Sequence, residues 1–584
     1  MSMDEEREQI ERAPAEDEGP EHTESVSTAE DGDKASRKKL LLNTGLPVLL
    51  TIIFFLIPLF SKTPVYALND DIQIRDILSG AYGGSPDLHT VYMGAVLSGI
   101  LAFLYTVLPF VPWYGLFLCA APAAVFLIVS LKIMKSEKAL FIKALVLCML
   151  SGLCLWLMYP LYIMPHYTLV AAVFAAGALW LMMDRDMTGG VILLLICQQV
   201  RQQVFLMLVP FAAAVILLTF IEDKEKRSGL KKPLLIFAAG FAALFIINAI
   251  AYAGSTWRDY LKLNDARTQL YDYTGVWESS AAREHYAQAG VSREDYPFYR
   301  EYDLLPVKGA DTATLKAMAD YREEGRQPAG MERFKDVIRS LGRFYLTSNG
   351  KEMVYAMGLV LMYALALSNS FLRGKGWGVL FSIGCFIMHL ALHGYLLWRG
   401  RVPERVTVSL IMAQCFMLGG MVLRYTEEWR QVYYAIEGAI LTIVLSQAYN
   451  ATAGLNDAYA EQITVNNEDD VLYSYMAQNP DELFVMETYA AVYRTAYVTD
   501  TDRVGNTMIM GGWQYLSPLQ DKKLKSFGFD DRFDMFVKGG IKIVFRKGDG
   551  PETADMDVYL NKEYGTGLKL TEQLPGDFMI FAVE

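Results

Sequence analysis

Long apolar segments recur along this chain and constrain its fold more than any other feature. Runs such as Leu40–Phe60, Trp113–Leu131 and Val204–Ile221 have about the 17–25 mainly apolar residues of a helix that crosses a bilayer. Hydrophobic residues make up 53% of the chain and charged residues only 20%, which is unusual for a soluble protein of this length. The net charge of −12 argues against a nucleic-acid partner, which would need a basic face. The sequence therefore predicts a polytopic α-helical membrane protein.

Charges that flank the apolar runs predict the orientation. Residues 1–39 are acidic and polar and are predicted to form a disordered cytoplasmic tail. The positive-inside rule places the N-terminus in the cytoplasm because four cations precede the first run: Lys34, Arg37, Lys38 and Lys39. The lysines after Trp113–Leu131 are cytoplasmic only if Met93–Leu108 lies along the outer membrane interface. On this basis the chain has 11 transmembrane helices in the plasma membrane and an extracytoplasmic C-terminus.

The apolar runs and polar stretches divide the chain into five parts. The tail is followed by a transmembrane core (40–253, with a first outer loop at 61–112) and an extracytoplasmic, mainly helical domain (254–350). The last transmembrane helices (351–449) and an extracytoplasmic α/β domain (450–584) complete the chain. The segment Trp257–Tyr273 has aromatic and apolar residues at helical spacing. Three strand-like stretches, LFVME, IKIVF and FMIFAV, indicate the α/β module.

The first outer loop begins with adjacent carboxylates, Asp70 and Asp71, directly after an apolar run. A carboxylate near a low-dielectric boundary is costly unless something uses it. It can accept a proton from an attacking hydroxyl, or help to hold a divalent cation on oxygen ligands. A structural alternative is equally open, since Asn69 or Asp70 before IQIRDIL could cap a helix. Arg75 and His89 lie close behind the pair.

Several cations outside this loop are candidate binding residues. Arg201, next to Gln202, lies in an otherwise apolar hairpin, where its planar guanidinium would suit a phosphate group. The alternative is that Arg201 pairs with an aspartate for structure. Arg399 and Arg401 fall on the predicted outer side, against the positive-inside trend. They indicate an anionic partner, which lipid headgroups would also satisfy.

The arrangement of one span, a long outer loop that starts Asn69-Asp70-Asp71 and an interfacial helix resembles the GT-C superfamily. These are polytopic glycosyltransferases that use lipid-phosphate-linked sugars at the outer membrane face. The resemblance covers residues 40–450, and Asn69-Asp70-Asp71 matches the Asp/Glu motif of the family's first outer loop. The chain also resembles a group of large bacterial multi-span membrane proteins in four segments: the Asn69-Asp70-Asp71 loop, Pro165–Thr168, Trp257–Tyr273 and Gly511–Pro518.

The GT-C resemblance implies a membrane glycosyltransferase with a polyprenyl-phosphate-linked sugar donor. The acceptor would be an envelope glycan, a lipid or a protein at the outer face. Asp70 or Asp71 would be the base and Arg201 would hold the donor phosphate, with further substrate-binding residues elsewhere: Arg75, His89, His166, Gln202, Arg399 and Arg401.

One departure from the GT-C pattern concerns a metal. Many members carry a second acidic residue in the outer turn between the third and fourth spans, but here Tyr159–Tyr167 has His166 and no carboxylate. This weakens the case for Mg²⁺ or Mn²⁺ as a cofactor, and no metal ligand is predicted. Two other functions remain open, a transporter or flippase of a lipid-linked glycan and a non-catalytic scaffold of envelope assembly.

Overall fold

The computed structural model describes most of the chain. It covers residues 37–57, 62–322, 330–426, 431–492, 496–500, 504–546 and 553–584, with the side chains of the helix Gln431–Gln478 described from residue 455. The predicted disordered tail 1–39 lies outside the described residues except for its last three, which begin the first helix.

The first half of the described chain is helical, because apolar segments satisfy their own backbone hydrogen bonds in this form. Its helices are α1 (Arg37–Leu56), α2 (Asn69–Ser79), α3 (Ala95–Val107), α4 (Trp113–Lys135), α5 (Leu140–Ile163), α6 (Tyr167–Met183), α7 (Met187–Val200), α8 (Gln202–Glu222) and α9 (Arg227–Ala251).

Short helices of a polar segment follow, and then four long helices. The short ones are α10 (Ser255–Thr268), α11 (Ser280–Gln288), α12 (Tyr296–Glu301), α13 (Thr312–Asp320) and α14 (Met331–Gly342). The long ones are α15 (Gly350–Leu372), α16 (Gly376–Arg399), α17 (Glu404–Tyr425) and α18 (Gln431–Gln478).

The helices confirm a multi-pass membrane protein but not the predicted count of 11 spans. Within the described ranges, eight helices are long and apolar enough to cross a membrane: α1, α4, α5, α8, α9, α15, α16 and α17. Helices α6 and α7 are apolar but have only 17 and 14 residues. Helix α18 runs for 48 residues, from the predicted last span across the predicted domain boundary at residue 450.

Helices α6 and α17 form the centre of the apolar part. Nearly every residue of both helices is buried. The two helices can approach closely because Gly419 of α17 has no side chain. A Cβ at this position would overlap the Trp180 indole of α6. In a membrane the hydrophobic effect does not drive helices together, because lipid tails are as apolar as the helix surfaces. Small residues at a helix interface favour association there because they allow close packing.

A small mixed sheet closes the chain. Its strands are β1 (Leu483–Met486), β2 (Thr507–Ile509), β3 (Ile541–Arg546), β4 (Leu568–Leu574) and β5 (Phe578–Val583), in the order β2-β1-β3-β5-β4. β1 pairs in parallel with β2 and β3, whereas β5 is antiparallel to β3 and β4. The three strand-like stretches of the sequence correspond to β1, β3 and β5, which confirms the α/β module. Four short helices accompany the sheet: α19 (Thr488–Val492), α20 (Pro518–Ser526), α21 (Asp534–Lys538) and α22 (Thr553–Tyr564).

The polar segment with α10–α13 (the middle domain) and the module around the sheet (the C-terminal domain) share one hydrophobic core. Buried side chains of both contribute to it, among them Leu304, Leu315, Tyr515 and Ile541. The Leu305 N–H donates to the Met510 carbonyl (3.0 Å), and the Tyr515 hydroxyl donates to the Ala310 carbonyl (2.7 Å). Two segments separated in sequence by α15–α17 thus fold as a single unit, which we call the polar body.

The polar body docks on the loop between α1 and α4, here called loop 1. Val65 and Tyr497 form an antiparallel bridge, and the Tyr66 N–H donates to the Ala496 carbonyl (3.0 Å). Gly115 of α4 leaves space for Val498, because a Cβ there would overlap the valine side chain. Backbone hydrogen bonds and close packing therefore fix the polar body to the membrane helices.

Two carboxyl groups are buried at the seam between the middle and C-terminal domains. Asp303 and Glu487 are both 0% exposed. Asp303 Oδ1 accepts the Thr488 N–H (2.9 Å), and Glu487 accepts the N–H groups of Tyr489 and Ala490 (2.9 and 2.8 Å). Burial raises the pKa of Asp303 well above its usual range, and the Glu487 charge raises it further.

The seam predicts a pH-dependent stability of the polar body. The pKa of Asp303 in the folded protein is above its value of about 3.9 in the unfolded chain. The stability that Asp303 contributes is therefore complete below about pH 3.9 and is lost as the pH rises through the folded-state pKa. Asp303→Asn keeps a neutral acceptor for Thr488. We expect the variant to have a higher Tm than the wild type at neutral pH and a flatter decline of Tm with rising pH.

The exposed Asp320, at the end of α13, provides the control. Asp320→Asn should leave the pH dependence of Tm unchanged. An Asp303→Asn protein whose Tm falls with pH as steeply as that of the wild type would contradict the account of the seam.

Candidate functional site

Asp71 is a fully enclosed carboxylate that joins three helices. Its Oδ1 accepts the Tyr114 hydroxyl (2.7 Å) and the Tyr167 N–H (3.1 Å), and its Oδ2 lies 2.8 Å from His166 Nδ1. The residue is 0% exposed. A buried carboxylate is tolerated when hydrogen bonds replace the lost water, and Asp71 has three. It connects α2 with α4 and α6.

The helix-cap alternative for the acidic pair is wrong. Helix α2 begins at Asn69, and its N-cap residue is Leu68, without a side-chain hydrogen bond to the helix. Asp70 and Asp71 both lie in the first turn, where negative charge is favoured by the helix dipole. Neighbouring positions on a helix point about 100° apart, so one carboxylate can be enclosed while the other faces a different surface.

Asp70 faces the polar body and is only partly buried. Trp513 of the C-terminal domain donates its indole N–H to Asp70 Oδ1 (3.2 Å). The Trp513 ring packs edge-on against Tyr92, with ring centroids 5.1 Å apart, and its carbonyl accepts the Tyr260 hydroxyl. Among the described residues, no donor is bonded to Asp70 Oδ2. This oxygen is therefore available to a ligand.

Arg201 lies at the break between α7 and α8, where its backbone is extended (φ −157°, ψ 110°). Its guanidinium donates to the Tyr167 hydroxyl and to Thr168 Oγ1 (2.6 Å). It also lies over the rings of Tyr167 and Tyr92, at 4.7 and 5.6 Å from their centroids. In the described part of the chain these partners are neutral, so the alternative in which Arg201 pairs with an aspartate is wrong.

Arg267 of α10 is a second guanidinium without a carboxylate partner, and the sequence analysis missed it. Its nitrogens donate to Asn264 Oδ1 (2.8 Å), the Tyr302 hydroxyl (2.6 Å) and Thr268 Oγ1 (2.7 Å). These hydrogen-bond partners are all neutral, although Arg267 is only 6% exposed. The charge of the nearby Asp272 also acts on Arg267, but this carboxylate is itself paired with Arg401. The signal was available, because Tyr260, Leu263, Arg267 and Leu270 follow helical spacing on one buried face.

These residues lie around Tyr92. Arg201 lies over its ring and Trp513 packs against it, while Tyr302, which accepts from Arg267, packs against Gly511, two residues before Trp513. Burial raises the pKa of the Tyr92 hydroxyl, the Asp70 charge raises it further, and the charges of Arg267 and Arg201 lower it. Loop 1, the break between α7 and α8, the middle domain and the C-terminal domain thus each contribute to one place. We call it the Asp70 site: Asp70, Tyr92, Arg201, Arg267, Tyr302 and Trp513. Two guanidiniums and one carboxylate leave a net positive charge there, which favours an anion.

An apolar cavity of about 610 Å³ lies behind the acidic pair. Leu68 and His166 line it on the side of α2, and the Nε2 atom of His166 is buried without a hydrogen-bond partner. Most of its wall is apolar, contributed by α5, α6, α15, α17 and α18: Trp156, Leu157, Leu161, Met164, Leu169, Met353, Val354, Val408 and Leu455. Lys351 and Arg405 add two cations and Glu404 one carboxylate, which leaves one positive charge in excess. The cavity fits an apolar chain with an anionic end.

The remaining predicted binding residues of loop 1 are held by protein partners. Arg75 is buried and paired with Asp76 (2.8 Å). His89 Nδ1 lies 2.6 Å from Asp87, its Nε2 lies 3.0 Å from the Ala251 carbonyl, and its ring stacks on Trp257. The contacts of His89 hold loop 1 against α9 and α10.

The other predicted cations and Gln202 lie in different surroundings. Arg399 stacks over Tyr273 at 4.8 Å, and Arg401 pairs with Asp272 (2.5 Å). The anion that the positive-inside violation indicated is thus, for Arg401, a carboxylate of the middle domain. Gln202 is exposed at the start of α8.

The Asp70 site does not fit a divalent metal. Within the described ranges, no group of three or more His, Cys, Asp or Glu residues could hold a metal ion. Both oxygens of Asp71 already accept hydrogen bonds, and Asp76 is paired with Arg75. Mg²⁺ and Mn²⁺ prefer several oxygen ligands, and the site offers Asp70 with two neighbouring guanidiniums instead.

No protein-family model matches the chain, and no curated protein matches it in sequence. Among solved structures it is similar to the crystal structure of ArnT from Cupriavidus metallidurans in the apo state. The alignment covers 94% of this chain and 98% of that chain, with 10% sequence identity and a TM-score of 0.38. A TM-score this low carries no argument about fold, activity or substrate.

Asp71 and Asp70 should differ sharply in their effect on folding. Asp71→Ala leaves the Tyr114 hydroxyl, the His166 ring and the Tyr167 N–H buried without their acceptor, which should cost about 3 kcal/mol or more. Asp70→Ala removes a single partly exposed hydrogen bond. We expect a large loss of Tm and abundance for the first variant and near-wild-type values for the second, measured on the purified full chain. Equal Tm values would contradict the structural role of Asp71.

Proposed function

We propose that this chain is a membrane glycosyltransferase of the GT-C type. It transfers a sugar from a polyprenyl-phosphate-linked donor to an envelope glycan, lipid or protein at the outer face of the plasma membrane. The observation that carries the proposal is the Asp70 site, where a partly exposed carboxylate lies with two guanidiniums that lack a carboxylate partner. The charge pattern that predicts a cytoplasmic N-terminus supports an outer location for this site.

Asp70 is the proposed base. An acceptor hydroxyl attacks the anomeric carbon of the donor sugar, the new C–O bond forms, and the bond from that carbon to the phosphate oxygen breaks with its electrons going to the phosphate. The acceptor proton passes to Asp70 Oδ2. Trp513 holds Oδ1, so the second oxygen keeps a fixed direction. A single displacement of this kind inverts the configuration at the anomeric carbon.

Asp71 is proposed as a positioning residue rather than a second base. Its oxygens are engaged by Tyr114, His166 and Tyr167, and it has no exposed surface from which to reach an acceptor. By fixing the first turn of α2 it determines where Asp70 lies.

The donor phosphate is assigned to Arg201. Its planar guanidinium suits phosphate oxygens, and its neutral partners leave its charge available. The rings of Tyr92 and Tyr167 hold it in place. The apolar cavity next to His166 would hold part of the prenyl chain, with Lys351 and Arg405 as cations at its polar edge.

Envelope glycan composition tests the proposed activity. A deletion strain complemented with the wild type should regain a sugar substituent that Asp70→Asn fails to restore at equal protein abundance. Asp259→Asn, which changes an exposed carboxylate of α10, is the matched control and should restore it. If Asp70→Asn restores the full composition, the glycosyltransferase proposal fails.

Trp513 should affect the rate without affecting the fold. Trp513→Phe keeps an aromatic ring against Tyr92 but removes the N–H that orients Asp70. The loss of a hydrogen bond to a charged group predicts a rate of sugar incorporation about 10-fold lower in isolated membranes. The exposed Trp377 of α16 gives the control Trp377→Phe, with a wild-type rate. A wild-type rate for Trp513→Phe would exclude a role for the hydrogen bond.

A further inference from the structure

Arg267 is a buried guanidinium whose hydrogen-bond partners carry no negative charge. Only 6% of the residue is exposed, and its three hydrogen-bond partners in the described chain are an amide and two hydroxyls. A buried guanidinium is costly unless a negative charge balances it. Arg201, which is partly buried, also has only neutral hydrogen-bond partners in the described chain, and it lies over the Tyr92 ring.

The fold holds Arg267 in place with a strained residue. Tyr302, whose hydroxyl accepts from Arg267, has a left-handed backbone (φ +68°), which is uncommon for a side chain of this size. Its ring stacks on Tyr271 at 3.8 Å. The Tyr302 carbonyl accepts the Thr488 hydroxyl (3.0 Å) and leaves no room for a Cβ at Gly511. The C-terminal domain thus fixes Tyr302, and Tyr302 orients Arg267.

The charges of the Asp70 site match one class of donor. Arg201 and Arg267 carry two positive charges and Asp70 one negative charge, and the neighbouring Asp272 adds no net charge because it is paired with Arg401. A sugar linked to a lipid through one phosphate brings one negative charge, so the complex is neutral. After transfer, Asp70 has accepted the acceptor proton and the released lipid monophosphate carries two negative charges, which the two guanidiniums again balance. A diphosphate-linked donor would add one further negative charge at each stage, without a matching cation among these residues.

We propose that Arg267 is a second ligand of the donor phosphate and that, with Arg201, it selects a lipid-linked monophosphate over a diphosphate. This inference rests on the proposed glycosyltransferase function. It places the middle domain in the donor site, where the sequence assigned only the membrane hairpin around Arg201.

Lipid-phosphate binding tests the inference. The full chain in lipid nanodiscs is titrated separately with a long-chain polyprenyl monophosphate and with the corresponding diphosphate. We expect the wild type to bind the monophosphate more tightly. Arg267→Gln should weaken monophosphate binding about 10-fold or more, because a charge-assisted contact is lost. Arg258→Gln changes an exposed arginine of the same helix and should bind like the wild type.

A second variant keeps the test decisive if Arg267→Gln folds poorly. Tyr302→Phe leaves both guanidiniums in place and removes only the hydroxyl that orients Arg267, so it should weaken monophosphate binding several-fold. Wild-type affinity in this variant and in Arg267→Gln, or tighter binding of the diphosphate by the wild type, would overturn the inference. Loss of binding in Arg201→Gln alone would leave the proposed function standing, whereas a wild type that binds neither lipid would contradict both.

Discussion

The shared core of the middle and C-terminal domains is the interaction on which the rest of the structure depends. Residues from both segments, such as Leu304 and Ile541, are buried in one cluster although α15–α17 separate them in sequence. This core brings Trp513 to Asp70 and holds Tyr302, the partner of Arg267, against Gly511, two residues before Trp513. Without it, the Asp70 site would consist of loop 1 and the helix break alone.

The two carboxylates of the acidic pair face different surroundings and therefore have different roles. Asp71 points into the helices, where three donors surround it, and Asp70 points toward the polar body. A buried carboxylate that loses its donors is destabilising, so the enclosed member sets the geometry of loop 1. The partly exposed member is then free to act on a substrate in the proposed reaction. Adjacent residues of similar chemistry can therefore have unrelated roles.

Much of the fold could be predicted from the sequence, because apolar length and strand-like runs are local signals. They gave the multi-pass helical class and the strands β1, β3 and β5. The number of transmembrane helices could not be predicted in the same way. Helices α6 and α7 are shorter than the length expected of a membrane-spanning helix, and α18 continues far beyond its apolar part. β4 was missed because its side chains are mostly exposed and polar.

The site was less predictable because it depends on contacts between distant segments. Asp70 and Arg201 stand out locally as charges in apolar surroundings. Nothing local distinguishes Asp70 from Asp71, and the partners Trp513 and Arg267 lie in other domains. The ion pair between Arg401 and Asp272 also joins distant segments. Only the fold shows that the anionic partner of Arg401 is a carboxylate of the same chain.

The most direct test of the central claim is native mass spectrometry of the purified full chain carrying Asp70→Asn. Removing the proposed base should stop transfer but leave both guanidiniums in place, so the variant should retain a lipid-phosphate-linked sugar from the membrane. The account predicts a bound species of that mass on Asp70→Asn and its loss when Arg201→Gln is added. An Asp70→Asn protein that retains no lipid phosphate would contradict the claim that the Asp70 site binds such a donor.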